Sequence, residues 1–140
     1  MTNLPPAFKN MAKNFAILPD FIAKNPLGPV CRPDDSQWAA LINWVVEALI
    51  QAEESGTMRA NLPEMLKSDD LIIRCLLGVQ HGYSRIIGLD DAWAARVIEA
   101  VGNYGEMFER DLGSASERKL PRGANNLWTH RGLMYVLPMR

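Results

Sequence analysis

The sequence predicts a mainly α-helical domain with one short β-strand near its N-terminus. Three observations predict this fold class: a long apolar stripe at helical spacing, further helical patterns with acidic caps, and a short apolar run between prolines. The chain has 140 residues, 48% of them hydrophobic and 22% charged, as is typical of one folded globular domain. We therefore treat residues 1–140 as a single domain.

The segment from Met1 to Cys31 is predicted to contain one short helix and one strand. The amphipathic spacing of Phe8 and Phe15 after two prolines favours a short helix. The apolar run Leu27 to Cys31 is predicted as the strand. Pro29 cannot donate a ladder hydrogen bond, so this strand should lie at a sheet edge or begin at that residue.

The strongest pattern in the sequence is a long helix that follows this strand. Asp34 or Asp35 is a good N-cap, and Asp34 with Gln37 has the form of a capping box. The pattern ends at Ser55-Gly56. Seven apolar residues recur at helical spacing and predict a buried stripe: Trp38, Leu41, Ile42, Val45, Val46, Leu49 and Ile50.

Three more helices are predicted in the second half of the chain. Pro63 opens a short helix through Leu66. Asp69 or Asp70 caps a helix that is apolar almost all round, from Leu71 to Leu77, and should run through the middle of the core. Asp90 caps a last long helix that closes at Leu112-Gly113, with this buried stripe: Trp93, Ala94, Val97, Ile98, Val101, Tyr104 and Phe108.

Two glycines inside this last helix need a reason. Gly102 and Gly105 each cost about 1 kcal/mol relative to alanine, so we expect another backbone or an aromatic ring to approach them closely. The tail from Ser114 to Arg140 is predicted to be irregular around one helical turn at Asn125 to His130. Because the tail is rich in apolar residues, it should pack back onto the helices.

Adjacent acids are the most visible polar pattern, and they could supply acid–base or metal chemistry. Three of the four pairs lie at predicted helix starts, where carboxylates cap backbone N–H groups, so the structural interpretation is favoured. The fourth pair, Glu53-Glu54, lies unfavourably near the negative end of a helix dipole. The three capping pairs are Asp34-Asp35, Asp69-Asp70 and Asp90-Asp91.

Signatures of enzymes and cofactor sites are absent from the sequence, including phosphate loops, nucleophile elbows and zinc-protease motifs. A Cys2His2 zinc site would have to combine residues without ligand spacing, and two buried cysteines with two surface histidines is the favoured alternative. We predict no catalytic residue, no metal and no cofactor, and ligand-binding residues remain unassigned. The four residues weighed for zinc are Cys31, Cys75, His81 and His130.

The tryptophans are interpreted mainly as core residues. Trp38 and Trp93 fall on the predicted buried stripes, while Trp44 and Trp128 are less determined and would mark a partner surface if exposed.

Charge and hydropathy exclude two classes of partner. Fifteen basic and sixteen acidic residues give a formal net charge of -1 without a basic patch, so nucleic acid is not an expected partner. No apolar run approaches the roughly 20 residues of a membrane span. Lys9 and Lys13 interrupt the place of a signal-peptide apolar region, and composition leaves the compartment open.

Two stretches resemble the general L-amino-acid-binding proteins of bacterial polar-amino-acid ABC transporters. The resemblance covers roughly Ile17 to Arg140. The first stretch is Ile17 to Val30, continuing through Asp34, Trp38, Trp44, Ala48 to Ile50 and Ala52 to Gly56; the second is Val101 to Arg110, followed by Arg122-Gly123, Asn125, Leu127-Trp128 and Gly132 to Tyr135.

The resemblance implies a part of a two-lobed α/β protein that closes on an amino acid and delivers it to a permease. Residues 1–16 have no counterpart, 17–56 resemble the strand and helix that return to the first lobe, and 57–140 resemble a C-terminal helical extension. The arginine and aspartate that contact an amino acid in that family come mainly from regions outside this resemblance. A truncated module in the periplasm, without a complete pocket, is the function that the resemblance implies.

A strand without its sheet leaves backbone groups unpaired and one helix face uncovered, and self-association would cover both. We therefore predict a homodimer, the commonest oligomer. The alternatives are a homo-oligomeric interaction or structural protein without a transport role, and a hydrolase or metal enzyme without a recognised motif. The predicted interface comprises Leu27, Val30, Cys31 and the helix residues Trp38, Leu41, Ile42 and Val45.

Overall fold

The computed structural model describes Ala23, residues 27–81, Ser84 and residues 87–137. These residues form mainly helix, as predicted, and no sheet; an isolated parallel bridge joins Leu127 to Met134. The helices are α1 (Ser36–Glu54), α2 (Leu62–Met65), α3 (Leu71–Leu76), α4 (Trp93–Val101) and α5 (Tyr104–Asp111), followed by 3-10 turns at Gly123–Asn125 and Trp128–His130.

The chain divides into two units, Met1–Val30 and Cys31–Arg140. Of the first unit the structure describes Ala23 and residues 27–30, where Leu27 and Val30 are 90% and 94% exposed. The predicted strand at Leu27 to Cys31 is not formed, because a strand requires a ladder partner and none of the described residues pairs with this segment. The helix predicted around Phe8 to Phe15 lies outside the described residues.

α1 forms where its apolar stripe predicts it, and its N-cap lies one residue later than the proposed capping box indicates. The carboxylate of Asp35, rather than that of Asp34, accepts a hydrogen bond from the backbone N–H of Trp38 at 2.9 Å. The C-terminal half of the helix, from Ala48 to Ala52, is buried. The N-terminal half is not, and the prediction that Trp38 is buried is wrong, since this residue is 52% exposed.

The main core lies on the C-terminal half of α1, which contacts α3, α4 and α5. α1 is therefore the central helix of this unit. The central position predicted for α3 is wrong, because Leu71 and Ile72 are exposed and only its opposite side is buried. The buried residues of this core are Ala48, Ala52, Leu62, Ile73, Leu76, Leu77, Trp93, Ala94 and Ile98.

α4 and α5 replace the single long helix predicted after Asp90. Gly102 ends α4 with φ 83° and ψ −174°, a conformation that interrupts a right-handed helix. Asn103 then starts α5, and its side chain accepts from the backbone N–H of Glu106 at 2.9 Å while Glu106 accepts from the N–H of Asn103. This capping box stabilises a new helix start immediately after the break.

Acidic caps are confirmed at one of the later helices and shifted at another. Asp70 accepts hydrogen bonds from the N–H groups of Ile72 and Ile73 at the start of α3. At α4 the N-cap is Ala92 rather than Asp90. The carboxylate of Asp90 instead accepts from the N–H of Ala92 and pairs with Arg96, at 2.7 Å.

The tail packs back onto the helices, as predicted from its apolar residues. Leu127 and Val136 are buried against Ile50 of α1 in a second small core. The helical turn predicted at Asn125 to His130 is present as two separate 3-10 turns.

Candidate functional site

A cleft lies where the C-terminal end of α1, the turn after it and α5 meet. Its volume is about 360 Å³. Three glutamates and one arginine contribute to its lining. The lining residues are Glu53, Gly56, Met58, Asn103, Gly105, Glu106, Glu109 and Arg122.

One wall of this cleft is a part-buried ion pair between Glu53 of α1 and Arg122 of the tail. Arg122 Nη1 donates to Glu53 Oε1 at 2.9 Å, and Nη2 donates to Oε2 at 3.0 Å. The two side chains are 13% and 15% exposed. Parallel hydrogen bonds of this kind fix the orientation of both groups and are stronger than neutral ones.

The remaining groups around Arg122 use most of its donors. Its Nε and Nη2 donate to the carbonyl oxygen of Asn125 at 3.1 and 2.8 Å. The guanidinium carbon lies 5.5 Å from the ring centre of Tyr104 and 5.1 Å from that of Phe108, within the range of cation–π attraction. Within the part of the chain that the structure describes, these four hydrogen bonds use four of the five guanidinium N–H groups.

Gly105 makes room for this ion pair. A Cβ at this position would lie 2.9 Å from Cδ and Oε1 of Glu53 and 3.1 Å from Nη1 of Arg122. The predicted close approach at Gly105 is confirmed, although an ion pair rather than a backbone or an aromatic ring approaches it. Sequence reasoning missed the pair because its partners are 69 positions apart.

The turn after α1 is tied to the break between α4 and α5 by buried polar groups. Asn103 Nδ2 donates to the carbonyl oxygen of the buried Thr57 at 2.9 Å, and the hydroxyls of Ser55 and Thr57 are 3.0 Å apart. Glu106 Oε2 accepts from the N–H of Asn103 at 2.8 Å and from that of Arg59 at 3.1 Å. These bonds hold one side of the cleft in place.

Glu109 closes the other side of the cleft. Its Oε2 accepts from the hydroxyl of Ser114 at 2.7 Å and from the backbone N–H of the same residue at 2.9 Å. These bonds lower the pKa of Glu109 from its ordinary value. The cleft therefore presents more carboxylate than cationic charge, an arrangement that repels an anionic ligand group.

A second groove lies at the same end of α1, between α3 and the tail, with a volume of about 320 Å³. The indole Nε1 of Trp128 donates to Glu54 Oε1 at 3.1 Å, and the ring is exposed. Glu53 and Glu54, the two acids near the negative end of the α1 dipole, thus both have hydrogen-bond partners in the tail. The groove is lined by Gln51, Glu54, Ser55, Asp70, Ile72, Ile73, Trp128 and Thr129.

The residues weighed for a zinc site do not form one. No three histidine, cysteine, aspartate or glutamate side chains among the described residues are placed to hold a metal ion. Both cysteines are free and half-buried, and His130 lies exposed in the second 3-10 turn.

His81, Ser84 and Asp91 are close together but do not have the geometry of a catalytic triad. Asp91 Oδ2 lies 2.7 Å from His81 Nδ1, and Oδ1 of the same carboxylate accepts from the hydroxyl of Ser84. The carboxylate stands between the other two groups, whereas activation of a serine requires the imidazole in that position. This cluster therefore links the segment before α4 to its start.

The predicted partner surface is only partly exposed. We define the α1 outer face as Trp38, Leu41, Ile42 and Val45; Trp38 is exposed and the other three are half-buried.

No helix within the described parts of the chain combines the length and the apolar character that crossing a bilayer requires.

Similarity to known proteins gives the context of these sites, although no protein-family model matches the chain. The chain is 45% identical over 126 residues to the general L-amino acid-binding periplasmic protein AapJ of Rhizobium johnstonii, covering 89% of this chain and 37% of AapJ. It is 45% identical over 130 residues to the glutamate/glutamine/aspartate/asparagine-binding protein BztA of Rhodobacter capsulatus, covering 92% of this chain and 38% of BztA.

Two further matches agree with these. The putative amino-acid ABC transporter-binding protein YhdW of Escherichia coli K12 is 41% identical over 125 residues, covering 89% of this chain and 37% of YhdW. A solved structure, an ABC transporter periplasmic binding protein from Brucella ovis with glutathione bound, superimposes with a TM-score of 0.83 at 44% identity. That match covers 89% of this chain and 40% of the solved one. The chain thus spans a little over a third of the length of the curated relatives that it matches.

Proposed function

Because the chain resembles the C-terminal part of amino-acid-binding periplasmic proteins of ABC transporters, we propose that it is a non-enzymatic module of amino-acid transport. In this proposal the module does not contain a complete amino-acid pocket. The relatives carry the names of binding proteins, which supports a role without catalysis. The observation that carries the claim of an incomplete pocket is the ion pair of Arg122 with Glu53 in the 360 Å³ cleft.

An amino acid needs a cation for its α-carboxylate and an acceptor for its ammonium group. Arg122 is the one cation among the described residues that line the cleft, and it is already bound to the carboxylate of Glu53. An incoming α-carboxylate would have to displace Glu53 and would also face Glu106 and Glu109. Separating the part-buried carboxylate of Glu53 from its partner is unfavourable, which supports the absence of an amino-acid pocket here.

Other arginines near the cleft are also committed to the protein. Arg59 donates from Nε to the carbonyl of Glu99 at 2.7 Å and from Nη2 to that of Ala100. Arg110 donates from Nη1 to the carbonyl of Val101 at 2.9 Å. Both guanidinium groups thus satisfy carbonyls at the C-terminal end of α4, which is a structural role.

The part of the molecule proposed to meet the rest of a binding protein is the α1 outer face. Its apolar residues continue the stripe that is sealed in the C-terminal half of the helix, yet they are only half-buried, and Trp38 is 52% exposed. An amphipathic helix is stabilised when such a face is covered. In the resemblance stated above, the corresponding helix covers the sheet of the first lobe, and we propose the same use here.

Calorimetry with the chain tests the pocket. We expect no heat from a panel of neutral, acidic and basic L-amino acids, whereas saturable binding of any of them would reject the claim of an incomplete pocket.

Reconstitution tests the role in transport. The chain is mixed with the part of AapJ that precedes its matched region, and amino-acid binding is measured for the mixture and for each component. We expect association and binding only in the mixture. Trp38→Asp should weaken the association at least tenfold, while Leu66→Asp, a charge on an exposed apolar residue just after α2, should leave it unchanged. Absence of any association would remove the transport proposal.

A homo-oligomeric protein without a transport role is the alternative, with the interface at Leu27, Val30, Cys31 and the α1 outer face. The exposure of Leu27 and Val30, 90% and 94%, favours a covering partner for that segment. Light scattering distinguishes this alternative: a dimer that Trp38→Asp abolishes, in a chain that does not associate with the AapJ part, would support it. Permease and ATPase genes beside the coding sequence would favour transport.

A further inference from the structure

The second groove, between α3 and the tail, contains a buried polar side chain without a partner. Gln51 of α1 lines this groove and is only 6% exposed. Its backbone carbonyl accepts from the N–H of Ser55 at 3.0 Å, but no described residue forms a hydrogen bond with its side-chain amide. Because buried amides are nearly always hydrogen-bonded, the unpaired amide of Gln51 indicates a ligand in the groove.

Two carboxylates of the same groove each have an unused oxygen within the described structure. Glu54 Oε1 accepts from the indole N–H of Trp128 at 3.1 Å, and no described residue donates to Oε2. Asp70 Oδ1 accepts from the backbone N–H groups of Ile72 and Ile73 at 2.8 and 3.3 Å, and no described residue donates to Oδ2. Both carboxylates can therefore accept a hydrogen bond from a ligand.

The charge of the groove favours a cation. Glu54 and Asp70 contribute two negative charges, and no lysine or arginine is among the described residues that line the groove. Glu47, one helical turn before Gln51 on the same face of α1, has a buried Oε2 without a hydrogen-bond partner in the described part of the chain. A third carboxylate thus lies near the groove, and together these groups attract positive charge.

Aromatic and apolar surface lies next to these carboxylates. Trp128 is 62% exposed, and its hydrogen bond to Glu54 holds the indole beside that carboxylate. Ile72 of α3 is 40% exposed and also lines the groove. An indole face attracts an ammonium group, and both side chains can cover an alkyl chain. The groove therefore fits a cation with an aliphatic stem.

We propose that the second groove binds a linear aliphatic diamine. One ammonium group lies between Glu54 and the indole of Trp128, the other pairs with Asp70, and the side-chain carbonyl of Gln51 accepts an N–H of the ligand. Two positive charges on the ligand match the two carboxylates of the lining. The volume of about 320 Å³ lies at the lower end of the range of small-molecule sites.

This site is independent of the proposed function. Lysine has the chain and the two amino groups of a diamine, but it also carries an α-carboxylate, which Glu54 or Asp70 would repel. The groove shares no lining residue with the 360 Å³ cleft and none with the α1 outer face. Failure of diamine binding would therefore leave the results of the amino-acid panel and of the AapJ reconstitution unchanged.

NMR titration of the full chain with 1,5-diaminopentane at constant ionic strength tests the site. We expect saturable shifts of two side-chain signals, the indole N–H of Trp128 and the amide NH2 of Gln51, with one dissociation constant. Trp128→Phe and Gln51→Met assign these signals. The uncharged 1,5-pentanediol should not shift them, and L-lysine should bind at least about tenfold more weakly. Absence of saturable shifts, or equal affinity for the diol, overturns the proposal.

Glu54→Gln separates binding in the groove from general attraction of cations. The amide oxygen of the variant can still accept from Trp128, so the ring is held while one charge is lost. The diamine should bind about tenfold more weakly, because a charge-assisted hydrogen bond is lost. Glu64→Gln, on the exposed side of α2, is the matched control and should leave the dissociation constant unchanged. Equal weakening in both variants would mean non-specific attraction and would overturn the proposal.

Discussion

Arg122 donates two parallel hydrogen bonds, 2.9 and 3.0 Å long, to the carboxylate of Glu53, which lies 69 positions earlier in the chain. The same guanidinium contacts the rings of Tyr104 and Phe108 and the carbonyl of Asn125. One side chain thus joins α1, α5 and the tail. It also uses the cation that an amino-acid ligand would need in the cleft.

Replacement of Arg122 by alanine should destabilise the protein by about 2 kcal/mol, because it removes two charge-assisted hydrogen bonds from the part-buried carboxylate of Glu53. The free energy of unfolding in urea measures this. Arg96→Ala is the matched control: its ion pair with Asp90 is largely exposed, so its loss should destabilise the protein much less. Equal effects of the two variants would show that the part-buried pair of Glu53 and Arg122 contributes no more stability than the exposed pair of Asp90 and Arg96.

Gly105→Ala should have opposite effects in two backgrounds. In the wild-type chain the new Cβ meets Glu53 and Arg122, so the variant should be destabilised. With Glu53→Ala already present, the contact with Glu53 is removed and Arg122 is no longer held against position 105 by that carboxylate, so alanine should stabilise α5 relative to glycine. A double-mutant cycle by chemical denaturation measures the coupling, and a value near zero would contradict the close approach at Gly105.

Asn103→Ala should cost about 2 kcal/mol, because it removes both the N-cap of α5 and the buried hydrogen bond to Thr57. Asp70→Ala removes only the cap of α3 and should cost about 1 kcal/mol. Thermal unfolding of the two variants under identical conditions gives the comparison. If Asn103→Ala is no more harmful than Asp70→Ala, the bond to Thr57 does not contribute to stability.

Two tryptophans on the predicted buried stripes should respond very differently to truncation. Trp93→Ala should cost about 3–5 kcal/mol, since Trp93 is buried in the main core. Trp38→Ala should cost less than about 1 kcal/mol in the isolated chain, because this side chain is half exposed. A large loss of stability in Trp38→Ala would mean that the α1 outer face is already covered, which contradicts its role as a docking surface.

Acid titration should reveal the ion pair at the start of α4. Hydrogen bonds from Arg96 hold the pKa of Asp90 below its ordinary value. A lowered carboxyl pKa in the folded state stabilises the protein above the unfolded-state pKa, and this contribution is lost as the pH falls through the folded-state pKa. NMR titration should therefore show the pKa of Asp90 rising toward its ordinary value in Arg96→Ala, and an unchanged pKa would reject the interaction.

Much of the local structure is encoded by neighbouring residues and could be predicted. The stripe of α1 and the cap at Asp70 depend on residues within one or two helical turns, and both are present in the structure. Packing of the tail onto α1 followed from its apolar content. The resemblance to amino-acid-binding proteins could likewise be recognised from the sequence, and the relatives confirm it.

The break at Gly102 was not predicted, although both of its signals are local. The apolar stripe continues from Val101 to Tyr104 and masks the end of α4. Asn103 three residues before Glu106 has the form of a capping box, which would have indicated the new start. The prediction of one long helix followed the apolar periodicity and not the capping pattern. In the folded chain the hydrogen bond from Asn103 to Thr57 favours the break.

The sequence by itself determined where the helices form, which of their sides are apolar and which family the chain resembles. These properties depend on backbone periodicity and on interactions over a few residues. Only the tertiary structure decided that Glu53 binds Arg122, that α3 lies at the edge of the core and that Trp38 stays exposed. The reason is physical: burial and ion pairing depend on which distant segments contact a given side chain. Helical spacing does not indicate which distant segments make these contacts.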